Sequence, residues 1–306
     1  MIISASYRTD IPAFYGTWFR HRLAAGYCRS VNPYGGQISD IALTKPAVDG
    51  FVFWTRNARP FFDALDEVRD RTFPFVVHVT LTGYPHAIDA ATIGAENAVD
   101  QVRSLRDRFG RRAVVWRYDP ILLTSVTPAA WHLENFTRLA TQIGNAVDEV
   151  VFSFAQIYRK TARNMETAAQ RHGFSWWDPP AEEKIHLLAE LAGVAENHGI
   201  SASLCAQREL LIDGVGDAAC VDVMRLSDVA GYPIKAARHP HRERCGCWAS
   251  RDIGAYDTCP HGCAYCYAVG KVETAKRRYR EHDPDSPFLF APQKMPEAPT
   301  QGDLFS

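Results

Sequence analysis

The sequence lacks any run of the roughly 18 apolar residues that a membrane-crossing helix needs, so no membrane partner is expected. It opens on MIISASYRTD, without a basic stretch, an apolar core and a small-residue cleavage site. Nothing there directs export, and the expected location is the cytoplasm. It has almost no net charge: 34 Lys and Arg against 35 Asp and Glu leave −1. No internal repeat is visible, so a stacked-repeat architecture is not expected. Cysteine is scarce over most of the chain, with only Cys28, Cys205 and Cys220 before residue 240.

What is present is an ordinary globular composition, 46% hydrophobic and 23% charged, in 306 residues, enough to bury a large core. The charge is unevenly spread. Lys235 to Arg280 carries ten Lys and Arg against four Asp and Glu, a balance of +6 that leaves −7 for the rest. A basic segment is either a solvated face or a site for a polyanion or an anionic cofactor. Inside it lie the remaining five of the eight cysteines, Cys245, Cys247, Cys259, Cys263 and Cys266. In a reducing compartment clustered cysteines are metal ligands or catalytic thiols more often than disulfides.

Six short runs rich in Val, Ile and Phe recur at residues 1–6, 50–55, 73–82, 112–118, 149–155 and 200–205. Several are apolar throughout, as strands buried on both faces of a parallel sheet are. Helical patterns lie between them at residues 58–70, 95–110, 127–144 and 178–199, the third with Thr127 as N-cap and Pro128 at its first position. Strands alternating with helices predict a parallel α/β fold, open or partly closed into a barrel. We divide the chain into a barrel over 1–235, a cysteine-rich segment over 236–290 packed on it, and a flexible tail over 291–306. The Pro-rich stretch from about residue 282 reads as surface.

Polar residues follow several strand ends, and in α/β barrels that edge builds the active site. Arg8, Asp10, Arg56, Asn57, Arg117 and Asp119 are the catalytic candidates. Each taken singly fits a cap or loop ion pair. Their recurrence at one edge is what singles them out, and paired Asp and Arg could orient a substrate or a cofactor carboxylate.

Cys259, Cys263 and Cys266 have the spacing C-x3-C-x2-C, as CPHGCAYC. Three thiolates so close can hold three irons of a [4Fe–4S] cluster and leave the fourth open. A structural zinc ion would want a fourth ligand, which His261 could supply. The motif, with the aromatic Tyr265 before its last cysteine, resembles the signature of the radical S-adenosylmethionine superfamily. That resemblance implies a [4Fe–4S] cluster chelating S-adenosylmethionine, an electron donor, hydrogen-atom abstraction, and a partial (β/α)6-type barrel. It also implies a cofactor contact for Tyr265. The departure is placement, since in that superfamily the motif follows the first strand and here it follows the sixth. The whole pattern resembles the family known as DUF1848, through SASYRTDIPAF, WTRN, RYDP and CGCWASRDIGAYDTCPHGCAYCYA, over residues 1 to about 290.

The other thiols at the late end, Cys245 and Cys247 in C-x-C, together with Cys205 and Cys220, make four. Four is the number that a closed second [4Fe–4S] cluster needs; structural zinc or ordinary burial are the other readings. Cys28 reads as structural. Tyr265 and Tyr267 flank the last loop ligand, and Gly254 would allow a close backbone approach to a cluster or cofactor. Lys276, Arg277, Arg278 and Arg280 form a short basic helix that could contact phosphates. Finally QGDLF, residues 301–305, resembles a bacterial sliding-clamp peptide, with Leu304 and Phe305 filling an apolar pocket and Gln301 and Asp303 at its rim.

These readings lead to an iron–sulfur enzyme using S-adenosylmethionine for radical chemistry, with DNA as first substrate class. The rivals are a binding module for nucleic acid or protein with structural clusters or zinc, and a radical enzyme acting on a small molecule or peptide.

Overall fold

The structure is a computed structural model that describes residues 1–239 and 245–292. Strands are β1 (Ile2–Ala5), β2 (Tyr27–Val31), β3 (Ile38–Ala42), β4 (Gly50–Thr55), β5 (Phe75–Thr80), β6 (Val114–Ile121), β7 (Leu123–Thr124), β8 (Glu149–Phe154), β9 (Trp176–Trp177), β10 (Ser201–Leu204), β11 (Val215–Asp217) and β12 (Ser250–Asp252). Helices are α1 (Ile11–Phe14), α2 (Gly16–Ala25), α3 (Phe62–Asp70), α4 (Ala95–Phe109), α5 (Ala129–Ile143), α6 (Arg159–His172), α7 (Ala181–Asn197), α8 (Val223–Ala230) and α9 (Val272–Arg280).

Eight strands form one sheet in the order β11-β10-β8-β6-β5-β4-β1-β12, every pairing parallel. All six strands expected from the sequence are its centre. The other two, β11 and β12, are three residues each and form its edges, so no closed barrel is made. Three residues give too little periodicity to read. β12 brings the cysteine-rich segment into the sheet beside the first strand, with Ile2 opposite Ser250 and Ser4 opposite Asp252.

One face of the sheet buries large side chains, among them Phe51, Phe53, Trp116 and Phe152, against the apolar stripes of α2, α3, α4, α5 and α7. Helix α4 shows why such segments are helices: Ala98, Val99, Val102 and Leu105 fall on one side, and Gly110 ends it. Helix α5 begins one residue later than expected, at Ala129. Thr127 does not cap it, because its hydroxyl donates to the Leu122 carbonyl at 3.0 Å and meets Thr124 Oγ1 at 2.8 Å. The stretch from residue 282 corrects a second expectation. Phe288 and Leu289 are buried, and Trp18 Nε1 and Arg22 Nη2 donate to the Ser286 and Asp285 carbonyls at 2.9 Å. Proline-rich composition hid two core residues.

Among the described residues no helix is long and apolar enough to cross a membrane.

Candidate functional site

The opposite face of the sheet changes character along the strands. Its first layer is apolar: Ile2, Val52, Val76, Val115 and Val151, packed on Val223 and Leu226 of α8. Two residues on, the period-two alternation brings Ser4, Trp54, His78, Arg117 and Ser153 to the same face, where Ser203 of β10 also lies, opposite Val151. Of these Ser4, His78, Arg117 and Ser203 are buried. Burial pushes His78 down to about 3, with the nearby Arg117 cation adding to it, so its ring is neutral at pH 7. It stacks on Trp54 with ring centres 5.3 Å apart. A buried polar layer facing the C-terminal strand ends is where a parallel α/β sheet places its chemistry.

The three-cysteine loop sits on those ends. Asp10, just after β1, caps α1 by accepting from the Ala13 amide at 2.9 Å. Its other oxygen accepts from the Arg56 amide after β4 at 2.8 Å and meets His261 Nε2 at 2.9 Å. Arg56 Nη1 donates to Asp89 at 2.7 Å, and its Nη2 donates to the Tyr265 hydroxyl. Tyr265 in turn donates to Asp89 Oδ1 at 2.8 Å. Backbone bonds fasten the loop to the segment after β5: Ala264 N to Ile88 O and Ala91 N to His261 O, both 2.9 Å. A motif about 250 residues from β1 in sequence is therefore held against β1, β4 and β5 in space.

Cys259, Cys263 and Cys266 are partly exposed as residues, yet each thiol is held above its ordinary range, chiefly by burial. Asp10 adds to this for Cys259 and Asp89 for Cys263, and Cys266 raises both, with Cys259 also raising Cys263. Working the other way, backbone N–H groups of His261 and Asp10 point at Cys259, and those of Ala268 and Val269 at Cys266. Arg56 and Lys160 also favour the Cys266 thiolate. N–H donors aimed at sulfur are what a metal-bound thiolate uses, so the donor set fits a thiophilic centre. His261 fits a zinc shell poorly, since its ring nitrogens face Asp10 and, at 3.4 Å, the Ala91 carbonyl. Among the described residues, no three Cys, His, Asp or Glu side chains are already disposed as a ligand shell.

The other candidates separate into groups. Arg8 lies 3.6 Å from Asp252 and packs over the rings of Tyr7 and Tyr256. Asp252 accepts from Ser4, Ser6, the Tyr7 amide and the Gly254 amide, and burial still raises its carboxyl. Gly254 is required there by close approach, but to a side chain: a Cβ would stand 2.0 Å from Ser6 Oγ. Asn57 is turned away, accepting from Gln101 of α4 at 2.9 Å, and its place is structural. Arg117 binds both oxygens of Asp119 and donates to Cys220 Sγ at 3.0 Å. Cys205 and Cys220 are 3.3 Å apart, and Cys220 also meets Cys247, which meets Cys245. Cys28 is fully buried in the helix-covered core, which pushes its thiol up to about 12.

Sequence reasoning missed Asp89, Lys160 and His78. Asp89 lies in a turn-rich loop without a motif, and only its partners mark it.

A cavity of about 110 Å³ adjoins the Arg56–Asp89 pair, lined by Thr80, Thr82, Tyr84 and His86 among others. It is well below the roughly 300–1,000 Å³ of ligand pockets and admits a small group only. A larger one, about 330 Å³, lies at the far, N-terminal ends of β1 and β12. On α9, Arg278 is committed to the Tyr256 carbonyl at 2.9 Å and to the Phe290 ring, which reduces that helix's free charge. Gln301, Asp303, Leu304 and Phe305 lie outside the described residues.

Comparison with curated proteins and with solved structures returns no match. A family model described as "Domain of unknown function (DUF1848)" matches residues 2–268, which takes in the eight-stranded sheet and both cysteine groups. The chain belongs to the DUF1848 family.

Proposed function

We propose that this chain is an iron–sulfur enzyme that uses S-adenosylmethionine for radical chemistry, with Cys259, Cys263 and Cys266 as ligands of a [4Fe–4S] cluster. One observation carries this reading: the late motif is bonded to Asp10, Arg56 and the segment at residues 88–91, at the ends of β1, β4 and β5. This supports the reading, because a superfamily motif that follows the first strand would lie beside the end of that strand too. On this reading the sheet is a partial barrel, since its strand order is that of a ring opened between β11 and β12. The strand ends are its mouth.

Bound there, the cluster and S-adenosylmethionine would supply a reductively generated radical able to abstract hydrogen. The chain's own residues do the rest. Asp10 and Asp89 fix the loop, Arg56 sets a buried cation beside the sulfurs, and Tyr265 joins Arg56 to Asp89 and excludes water. Arg117 and Asp119 stand on the same face as a charged pair for substrate or cofactor.

The test is anaerobic reconstitution, with iron and sulfide counted and the EPR spectrum of the reduced protein recorded with and without S-adenosylmethionine. A shifted spectrum and formation of 5′-deoxyadenosine are expected. An unmoved spectrum and no 5′-deoxyadenosine leave the non-catalytic binding module as the better reading. DNA is the substrate class to try first, on the basic 235–280 segment. Deleting residues 301–306 should abolish sliding-clamp binding, and intact protein that binds no clamp ends that proposal.

A further inference from the structure

We propose that Cys205, Cys220, Cys245 and Cys247 bind a single thiophilic metal ion, zinc or iron, in a four-sulfur site that joins the two open edges of the sheet. Position comes first. Cys205 follows β10 and Cys220 follows β11, while Cys245 and Cys247 precede β12. Strands β11 and β12 are the edges and do not pair with each other, so these four thiols lie at the seam. Few contacts cross it. Trp248 N donates to Val221 O at 3.1 Å, and Val221 N donates to Cys247 Sγ at 3.4 Å. Gly246 passes so near the exit of β11 that a Cβ would stand 3.2 Å from the Ala218 carbonyl oxygen. The glycine of C-x-C lets the backbone come this close, with Cys247 against Cys220 and Cys245 against Cys247.

Size comes second. In a tetrahedral site with metal–sulfur bonds of about 2.3 Å, neighbouring sulfurs are about 3.8 Å apart. Cys205 and Cys220 are 3.3 Å apart, and side-chain contacts run on from Cys220 to Cys247 and from Cys247 to Cys245. A cubane cluster binds each cysteine to a different iron, which spreads the sulfurs well beyond that. The compactness selects one ion over a second [4Fe–4S] cluster, and tetrahedral S4 selects zinc or iron among the common metals. Protonated thiols draw together through S–H···S contacts. An incoming divalent ion displaces those protons to solvent, and opening 3.3 to about 3.8 Å needs only small side-chain rotations. Arg117 Nη1 and the Val221 amide already donate to two of the sulfurs, as partners of bound thiolate do.

This site stands independently of the three-cysteine reading, and its test is arranged accordingly. The full-length Cys259→Ala, Cys263→Ala, Cys266→Ala variant is prepared anaerobically, and zinc, iron and acid-labile sulfide are measured. About one zinc or iron per chain without sulfide is expected. Removing that ion with a chelator should then open Cys205, Cys220, Cys245 and Cys247 together to alkylation, read by mass spectrometry. That second measurement avoids further substitutions that could prevent folding. Cobalt(II) added to the stripped protein should give the absorption of tetrahedral thiolate coordination. A folded variant without metal overturns the proposal. So does a Cys205–Cys220 disulfide, or iron with equal sulfide in place of one ion.

Discussion

Two groups of thiols, one at the C-terminal ends of β1, β4 and β5 and one at the seam between β11 and β12, are built on different plans. The loop of Cys259, Cys263 and Cys266 is held by its surroundings: a buried ion pair, a tyrosine hydroxyl and backbone amides surround the three sulfurs. The seam group is held by its own sulfurs, in contact from Cys205 through Cys220 to Cys247 and Cys245. On the readings proposed above, the first plan would position ligands around a group that keeps an open coordination site, and the second would close four ligands on one ion and tie two strand edges. The first suits chemistry and the second suits stability.

The largest effect expected divides the two. Replacing Cys259, Cys263 and Cys266 by Ala should abolish 5′-deoxyadenosine formation and the response of the EPR spectrum to S-adenosylmethionine. The fold, followed by circular dichroism, should remain. Equal loss of structure would mean that the loop, too, is a structural staple, and the contrast would be broken.

Next comes the charged cradle. Asp89 is 1% exposed and bonds Arg56, Tyr265 and Thr82. Asp89→Ala leaves a buried guanidinium unpaired, which should cost about 3–5 kcal/mol in urea denaturation. Seam metal content should not change. A cost below about 1 kcal/mol would show that water already reaches the pair, as at surface ion pairs.

How much of this the sequence disclosed follows from length and continuity. The central strands of the large sheet, such as Gly50–Thr55 with its buried Phe51 and Phe53, announce themselves by β-branched and aromatic runs, whereas the separate β2–β3 hairpin, YCRSV against ISDIA, carries no apolar run and was not read. The edges β11 and β12 do not announce themselves either, because three residues show no period. Helix α6 was missed because its exposed face carries most of its residues, with only Thr161, Met165 and Ala169 buried. The three cysteines were legible as a local motif. Asp10 and Arg56 were legible as polar residues after strands, but their convergence on His261 and Tyr265 is a long-range fact that no local pattern carries. Asp89 had no local signal at all. Asn57 shared the polar-after-strand signal and turned out to serve helix packing, so that signal alone does not separate function from capping.

A smaller effect separates both thiol groups from the fold beneath them. His132 is fully buried, accepts or donates to Tyr118 OH at 2.9 Å and faces the Leu122 carbonyl at 3.0 Å. Burial pushes it down to about 4. Its folded pKa lies below the unfolded value of about 6.5, so the unfolded chain binds more protons between the two. Stability is present above pH 6.5 and is lost as pH falls toward 4. From pH 7 to pH 5 the loss from this group is about 2 kcal/mol. His132→Gln should flatten that part of the urea-derived pH profile. An unchanged slope would move the acid sensitivity elsewhere, toward the buried His78.

The smallest effect sharpens the contrast most closely. Tyr265 lies between Cys263 and Cys266, and its hydroxyl is the link from Arg56 to Asp89. Tyr265→Phe keeps the ring over the Arg56 guanidinium, where the centroid lies 5.7 Å away, and removes only the link. Since Asp89 keeps its bond to Arg56, about 1 kcal/mol of stability should be lost. A merely structural tyrosine would show that loss and nothing more. If the cradle tunes the site, the variant should also shift the EPR signal or reduction potential of the reconstituted protein, while the seam keeps its metal. A stability loss with an unmoved spectrum would make the cradle scaffolding, and the two thiol groups would then differ in shape more than in purpose.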